Sequence, residues 1–277
     1  MEQVSERALH IAEEITRRTE TEHYRLRLNE EREPSITGSK IGGLPYWPTN
    51  KDYPVDDDGR KMLFIMQINC GEAGLKAPLP EQGMLQWFIS MNPERMYGCR
   101  GNFDEGDGFL IVYHDELTPH STQLDVPTHA TVDDMFTPVK REAAIDIIPE
   151  ETSMGVNDGR FNGLFFDIVE EITGVKHTDK MWYQYMGNED CLYFEQQLGM
   201  KRPHHQMLGY PVFSQEDARR DIATHDTLLF QLDSQFSEAD RRELVMWGDM
   251  GSGFIFANRE DLAARNFTRL YYCWDCG

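Results

Sequence analysis

The sequence predicts an α+β fold: a mostly antiparallel sheet built from an internal duplication with pseudo-twofold symmetry, with short flanking helices. Three observations carry that prediction. Short apolar runs broken by Gly, Pro and Asp recur without the regular strand–helix alternation of a parallel sheet. The opening residues instead have helical spacing. A set of motifs near the start of the chain returns, in the same order, near its end.

In the first segment, Val4, Ala8, Ile11, Ala12 and Ile15 fall at three- and four-residue steps while Glu13, Glu14, Arg17 and Arg18 take the other face, which predicts an amphipathic packing helix. Strands are expected at Tyr24 to Leu28, Met62 to Asn69, Met84 to Ser90 and Phe109 to His114, then at Ala143 to Ile148. Leu164 to Thr173 is a helix candidate. Further strands are expected at Cys191 to Glu195, Leu228 to Asp233, Phe254 to Ala257 and Arg269 to Trp274. Ser214, Ser237 and Asn258 can each cap a short turn or helix between them.

The repeated order is Gly43-Leu44-Pro45-Tyr46, the run Leu63 to Asn69 and Gly83 to Ile89, matched by Gly209-Tyr210-Pro211-Val212, Leu228 to Asp233 and Gly251 to Phe256. Its reading is one domain over residues 1–277, with repeat one at about 24–115, a poorly matched insertion at about 116–190 and repeat two at about 191–277. Gln67 and Asn69, like Gln231 and Asp233, are two residues apart, so a strand turns both to one face, opposite Met66 and Ile68 or Phe230 and Leu232. A buried amide there must find partners or cost roughly 1–3 kcal/mol. Two readings stand: these side chains tie down loop backbone within each repeat, or they converge on a polar ligand cleft at the join. The candidate cleft is Trp47, Gln67, Asn69, Gln231, Asp233, Trp247 and Asp249.

The chain has 277 residues and is 40% hydrophobic, which suits a globular core without disulfide staples. With 48 acidic against 27 basic side chains, the net charge is -21 and the pI near 4.7. Such a field repels nucleic acid and anionic membrane surfaces. No run approaches a membrane span and the start lacks the apolar core of a signal peptide, so a cytoplasmic protein is expected. Five cysteines are an odd set in a long chain, which fits a reducing compartment better than a disulfide framework. Cys273-Trp274-Asp275-Cys276 has redox spacing but no following helix to depress a thiol pKa. In Asp56-Asp57-Asp58-Gly59, a calcium-loop register would put Pro54 and Ile65 at ligand positions, so a turn is expected. Gly248 to Gly253 precedes a strand instead of a helix, so it reads as a turn, not a phosphate loop. No catalytic, cofactor-binding or metal-ligating set is assigned, and no cofactor is expected.

The motifs GLPYWP at 43–48, LFIMQIN at 63–69, GMLQWFI at 83–89, GFLIVYH at 108–114, LLFQLDS at 228–234, MWGDMGSGFIF at 246–256 and YYCWDC at 271–276 together resemble the YwqG-like family, a bacterial domain-of-unknown-function family. The resemblance implies a duplicated α+β fold of cytosolic proteins and supplies no reaction; some relatives are associated with immunity or toxin systems. The functional expectation is a non-enzymatic binding protein whose acidic surface engages a basic protein partner by charge steering. The alternative is a small-ligand binder or enzyme using the inter-repeat cleft.

Overall fold

Ser5 starts the first helix: its Oγ accepts the N–H of Ala8 at 3.1 Å, and α1 runs Glu6–Thr19 with Ala8, Ile11, Ala12 and Ile15 buried. The computed structural model describes residues 4–101, 103–104, 108–199 and 204–277. After α1 come β1 (Thr21–Asn29), β2 (Lys40–Ile41), β3 (Leu63–Asn69), α2 (Cys70–Ala73), β4 (Met84–Ile89), β5 (Phe103–Asp104) and β6 (Phe109–His114). Next are β7 (Ala143–Thr152), α3 (Phe161–Thr173), α4 (Trp182–Tyr185), α5 (Asn188–Leu198) and β8 (Gln206–Leu208). The remainder is β9 (Thr227–Asp233), β10 (Gln235–Phe236), β11 (Glu243–Val245), β12 (Ser252–Ala257), α6 (Arg259–Ala263) and β13 (Leu270–Asp275).

Eleven strands form one sheet in the order β5-β13-β12-β9-β8-β1-β7-β2-β3-β4-β6, every pairing antiparallel; β10 and β11 make a separate ribbon. Strand β5 lies at one edge and β6, which follows it closely in sequence, at the other, so the sheet curls until it is nearly closed. Its centre is the long β1–β7 pair, in register from Thr21↔Thr152 to Asn29↔Ala144. Thus residues 116–190 contribute a central strand.

Burial on both faces explains why β3, β4, β9, β12 and β13 read as continuous apolar runs. Inside the curl, Trp87 stacks on Trp247 with centroids 5.7 Å apart, and Phe230 and Tyr272 close around them. Outside, Trp47, Met62, Phe64 and Phe88 pack on one flank, and Phe213, Leu228, Phe254, Phe256, Tyr271 and Cys273 on the other. A bulge at Ile65 of β3 puts Ile65 and Met66 both inward before Gln67 turns outward. Leu229 and Phe230 of β9 do the same before Gln231. Helices α1, α3, α4 and α5 bury their apolar faces against one another in a fourth cluster.

The expected strand at Cys191 to Glu195 is instead part of α5. Gly187 precedes an acidic first turn of Glu189 and Asp190, and Phe194 and Leu198, four apart, are its buried face. Ser214 opens only bends, and Ser237 Oγ caps a turn through the N–H groups of Ala239 and Asp240, whereas Asn258 does cap a helix, α6.

Candidate functional site

Each flank of the sheet carries a hydrogen-bonded polar group beneath a loop. On the first, Gly42 and Gly43, at φ +62° and +68°, turn the chain after β2 so that Tyr46 comes down over β3. There Gln67 Oε1 accepts the Tyr46 N–H at 2.9 Å, and its Nε2 donates to the carbonyls of Ile36 and Gly38 at 2.9 and 2.8 Å. Gln86, opposite Gln67 on β4, donates to the Tyr46 carbonyl at 2.7 Å and to Gln67 Oε1 at 3.2 Å. Its own oxygen meets His114 Nε2 at 3.0 Å, while Lys51 Nζ reaches His114 Nδ1 at 3.2 Å. Burial, with the Lys51 charge added, pushes His114 down to about 4. Asn69 caps α2 through Gly71 N–H and donates to the Thr37 carbonyl.

On the second flank, Leu208 and Gly209 take the same left-handed pair, φ +61° and +69°. Gln231 Oε1 accepts the Val212 N–H at 3.0 Å and Gln206 Nε2 at 3.1 Å, and Gln231 Nε2 donates to Asp233 Oδ1 at 2.8 Å. Asp233 also accepts from Ser252 Oγ at 2.6 Å and from the His204 N–H at 2.7 Å. The Asp233 N–H donates to His205 Nδ1 at 2.9 Å, so the other ring nitrogen of neutral His205 donates to Gln235 Oε1 at 2.6 Å. His23 and His204 stack and both bond Gln206 Oε1. Burial pushes all three histidines down. Both groups are internally satisfied, and their bonds hold loop backbone onto the sheet.

A cleft of about 310 Å³ lies elsewhere, where Lys76 and Ala77 face Leu208 to Tyr210, Asp226, Thr227 and the start of β1. Three cations line it: Lys76, paired with Glu22 at 2.8 Å; Arg160, paired with Asp158 at 2.7 Å and set over the Tyr210 ring; and Arg259, whose guanidinium has no ion pair among the described residues.

A family model described as "Domain of unknown function (DUF1963)" matches residues 39–276. The chain belongs to that family. No curated protein matches it. The match begins at β2, so α1 and β1 lie before it, although β1 sits at the centre of the DUF1963 sheet and its Tyr24 lines the cleft.

In this DUF1963 protein the seven cleft residues expected from sequence occupy separate places. Gln67 and Asn69 belong to the first polar group, Gln231 and Asp233 to the second, and four strands stand between β3 and β9 in the sheet order. Trp47 packs on the outer flank with its Nε1 donating to the Lys51 carbonyl at 3.0 Å, Trp247 is in the interior, and Asp249 is exposed on a turn whose carbonyl accepts the Gly277 N–H. Gln86 and Gln206, which complete the polar groups, went unmarked. The signal for Gln86 was present: an amide within the apolar run Met84 to Ile89, as Gln67 is within its own. For Lys76, Arg160 and Arg259, each from a different connection, the sequence holds none.

Proposed function

We propose that this DUF1963 protein is a cytosolic, non-enzymatic binding protein whose acidic surface engages a basic protein partner, such as the toxin of an immunity pair. The observation that carries the reading is how the charges are spent. Arg17, Arg18, Arg27, Arg32, Arg60, Arg141 and Arg269 are bound to the protein's own carboxylates. Exposed Glu6, Glu13, Glu33, Glu72, Glu116, Asp179 and Glu216 enter no ion pair among the described residues. An unspent surplus of one sign accelerates encounter with the opposite sign and is screened by salt. Affinity capture from native lysate at low and moderate salt, followed by reconstitution with the purified captured protein, tests it. A high-pI partner whose association slows as salt rises is expected; retention of no basic protein overturns the reading.

We also infer that the domain is a duplication with YwqG-like affinity inside the DUF1963 family. In support, the strand order reads the same outward from the β1–β7 pair: β2, β3, β4 and β6 on one side, β8, β9, β12 and β13 on the other. The bulges at Ile65 and Leu229, the paired left-handed residues and the Asn69→Ser39 and Asp233→His205 backbone bonds correspond as well.

The cleft favours a second reading, a small anionic ligand held by Lys76, Arg160 and Arg259. Thermal shift with inorganic phosphate and short carboxylates tests it, since a ligand at a hundred times its Kd adds about 2.7 kcal/mol. A rise in Tm that Arg259→Gln abolishes supports it; no rise with any of these anions sinks it.

A further inference from the structure

Lys40 sits in the middle of the sheet, on β2 between Gln67 of β3 and Ala144 of β7, and is 3% exposed. Its ammonium has no hydrogen-bond acceptor and no ion pair within 4.0 Å among the described residues. The contrast is Gln206, which faces Gln231 as Lys40 faces Gln67 and whose amide has four partners. Burying an unpaired ammonium disfavours its charged form. Burial accordingly pushes Lys40 down, opposed in part by the Glu142 carboxylate.

Two further titratable groups lie near it, both on the long connection from β6 to β7, His129 about midway along it and Glu142 at its end. Glu142 is exposed and His129 half-buried, so both groups meet solvent beside the turn after β2. Gly42 and Gly43 make room for them: a Cβ on Gly42 would stand 3.0 Å from His129 Nδ1, and one on Gly43 would fall inside the Glu142 carboxylate. The Gly43 N–H donates to His129 Nδ1 at 3.0 Å, so the neutral ring carries its proton on Nε2. Burial pushes His129 down, with Glu142 opposing and Lys40 adding to the shift.

We propose that Lys40 is a nucleophilic amine that condenses with small uncharged aldehydes or ketones, with Glu142 moving the protons and His129 Nε2–H stabilising the carbonyl oxygen. The Lys40 nitrogen attacks the carbonyl carbon, forming the C–N bond as the C=O π pair goes to oxygen. Glu142 carries one proton from nitrogen to oxygen, giving the carbinolamine, and then a second; the C–O bond breaks as the nitrogen lone pair forms C=N, water leaves and a neutral imine remains. Nothing is oxidised or reduced. The exposed Glu142 carboxylate and the -21 net charge disfavour carbonyl compounds that carry a carboxylate.

Reductive trapping with propanal and cyanoborohydride over a pH series, followed by peptide mapping, tests this on the native protein. Lys40 is expected to gain an N-propyl group at least about tenfold faster than exposed Lys61 and Lys76 near neutral pH, a ratio that corresponds to one pKa unit of extra free amine. Glu142→Gln should move the labelling midpoint of Lys40 to lower pH, because the carboxylate that favours the ammonium is gone. Lys40→Met should lose that label. Should Lys40→Met not fold, the wild-type map still decides: labelling of Lys40 no faster than the exposed lysines, or only in urea, overturns the proposal, as does an unmoved midpoint in Glu142→Gln.

Discussion

His114 donates through Nε2 to Gln86 Oε1 at 3.0 Å because its other nitrogen faces the Lys51 ammonium at 3.2 Å. A ring so placed cannot accept a second proton without losing the Lys51 contact and gaining a like charge.

That arrangement makes His114 a source of acid sensitivity. Its folded pKa, about 4, is below its unfolded value near 6.5, so between these limits the unfolded chain binds more protons and stability drops as the pH is lowered. The contribution is complete above pH 6.5 and is lost toward pH 4, about 3 kcal/mol in all. His23, His204 and His205 act in the same direction. In urea titrations at pH 7 and pH 5, His114→Gln should flatten the fall in midpoint seen for the wild type; parallel curves would refute the assignment.

Gln231 satisfies the N–H of Val212 and the amide of Gln206 together. Gln231→Leu removes the acceptor of the Val212 N–H and one of the two acceptors of the Gln206 amide, and losing such a buried bond costs about 1–3 kcal/mol. A lowered urea midpoint with an unchanged salt-dependent capture profile is expected, which separates a structural amide from a ligand-binding one.

The fold was legible where one face of an element sets its pattern. The spacing of α1 and the apolar runs of β3, β4, β9 and β12 report burial directly, and Gly43-Leu44-Pro45 and Gly209-Tyr210-Pro211 mark the two loops that Gln67 and Gln231 hold. Helix α5 was missed because Cys191 to Glu195 offers an apolar run too short to show its period, which appears only when Leu198 is included. The candidate site was least legible. Trp47 and Trp247 flank similar Gly and Pro signals, yet one packs outside the sheet and the other inside. Lys76, Arg160 and Arg259 meet only through the closure of the sheet, which no local pattern encodes.

Thiol reactivity follows the same faces. Burial pushes Cys70 up to about 12 and Cys273 well above its usual range, and Cys99 is buried as well. Cys191 and Cys276 are half-buried. An aromatic disulfide reagent should therefore titrate Cys191 and Cys276 first in native protein, with Cys70, Cys99 and Cys273 reacting only as the chain unfolds. Fast modification of Cys273 together with Cys276 would instead mark the terminal Cys-Trp-Asp-Cys as a working redox pair.

Arg219 is held between Asp158 and Asp217 with its guanidinium over the Phe256 ring at 4.7 Å, and both Asp158 and Arg219 are almost fully buried. Asp158 also binds Arg160, so one carboxylate answers two cations at the point where the helical cluster meets the outer flank of the sheet. Removing a partner from such a set leaves charge stranded in low dielectric, which costs about 3–5 kcal/mol, whereas replacing the set with apolar groups of similar size can be neutral. Asp158→Ala should therefore lower the urea midpoint more than Asp158→Leu combined with Arg219→Met and Asp217→Asn, which leaves only the part-exposed Arg160 without its partner. If the triple variant is as unstable as the sum of its singles, the charges act independently and the buried set contributes nothing as a unit.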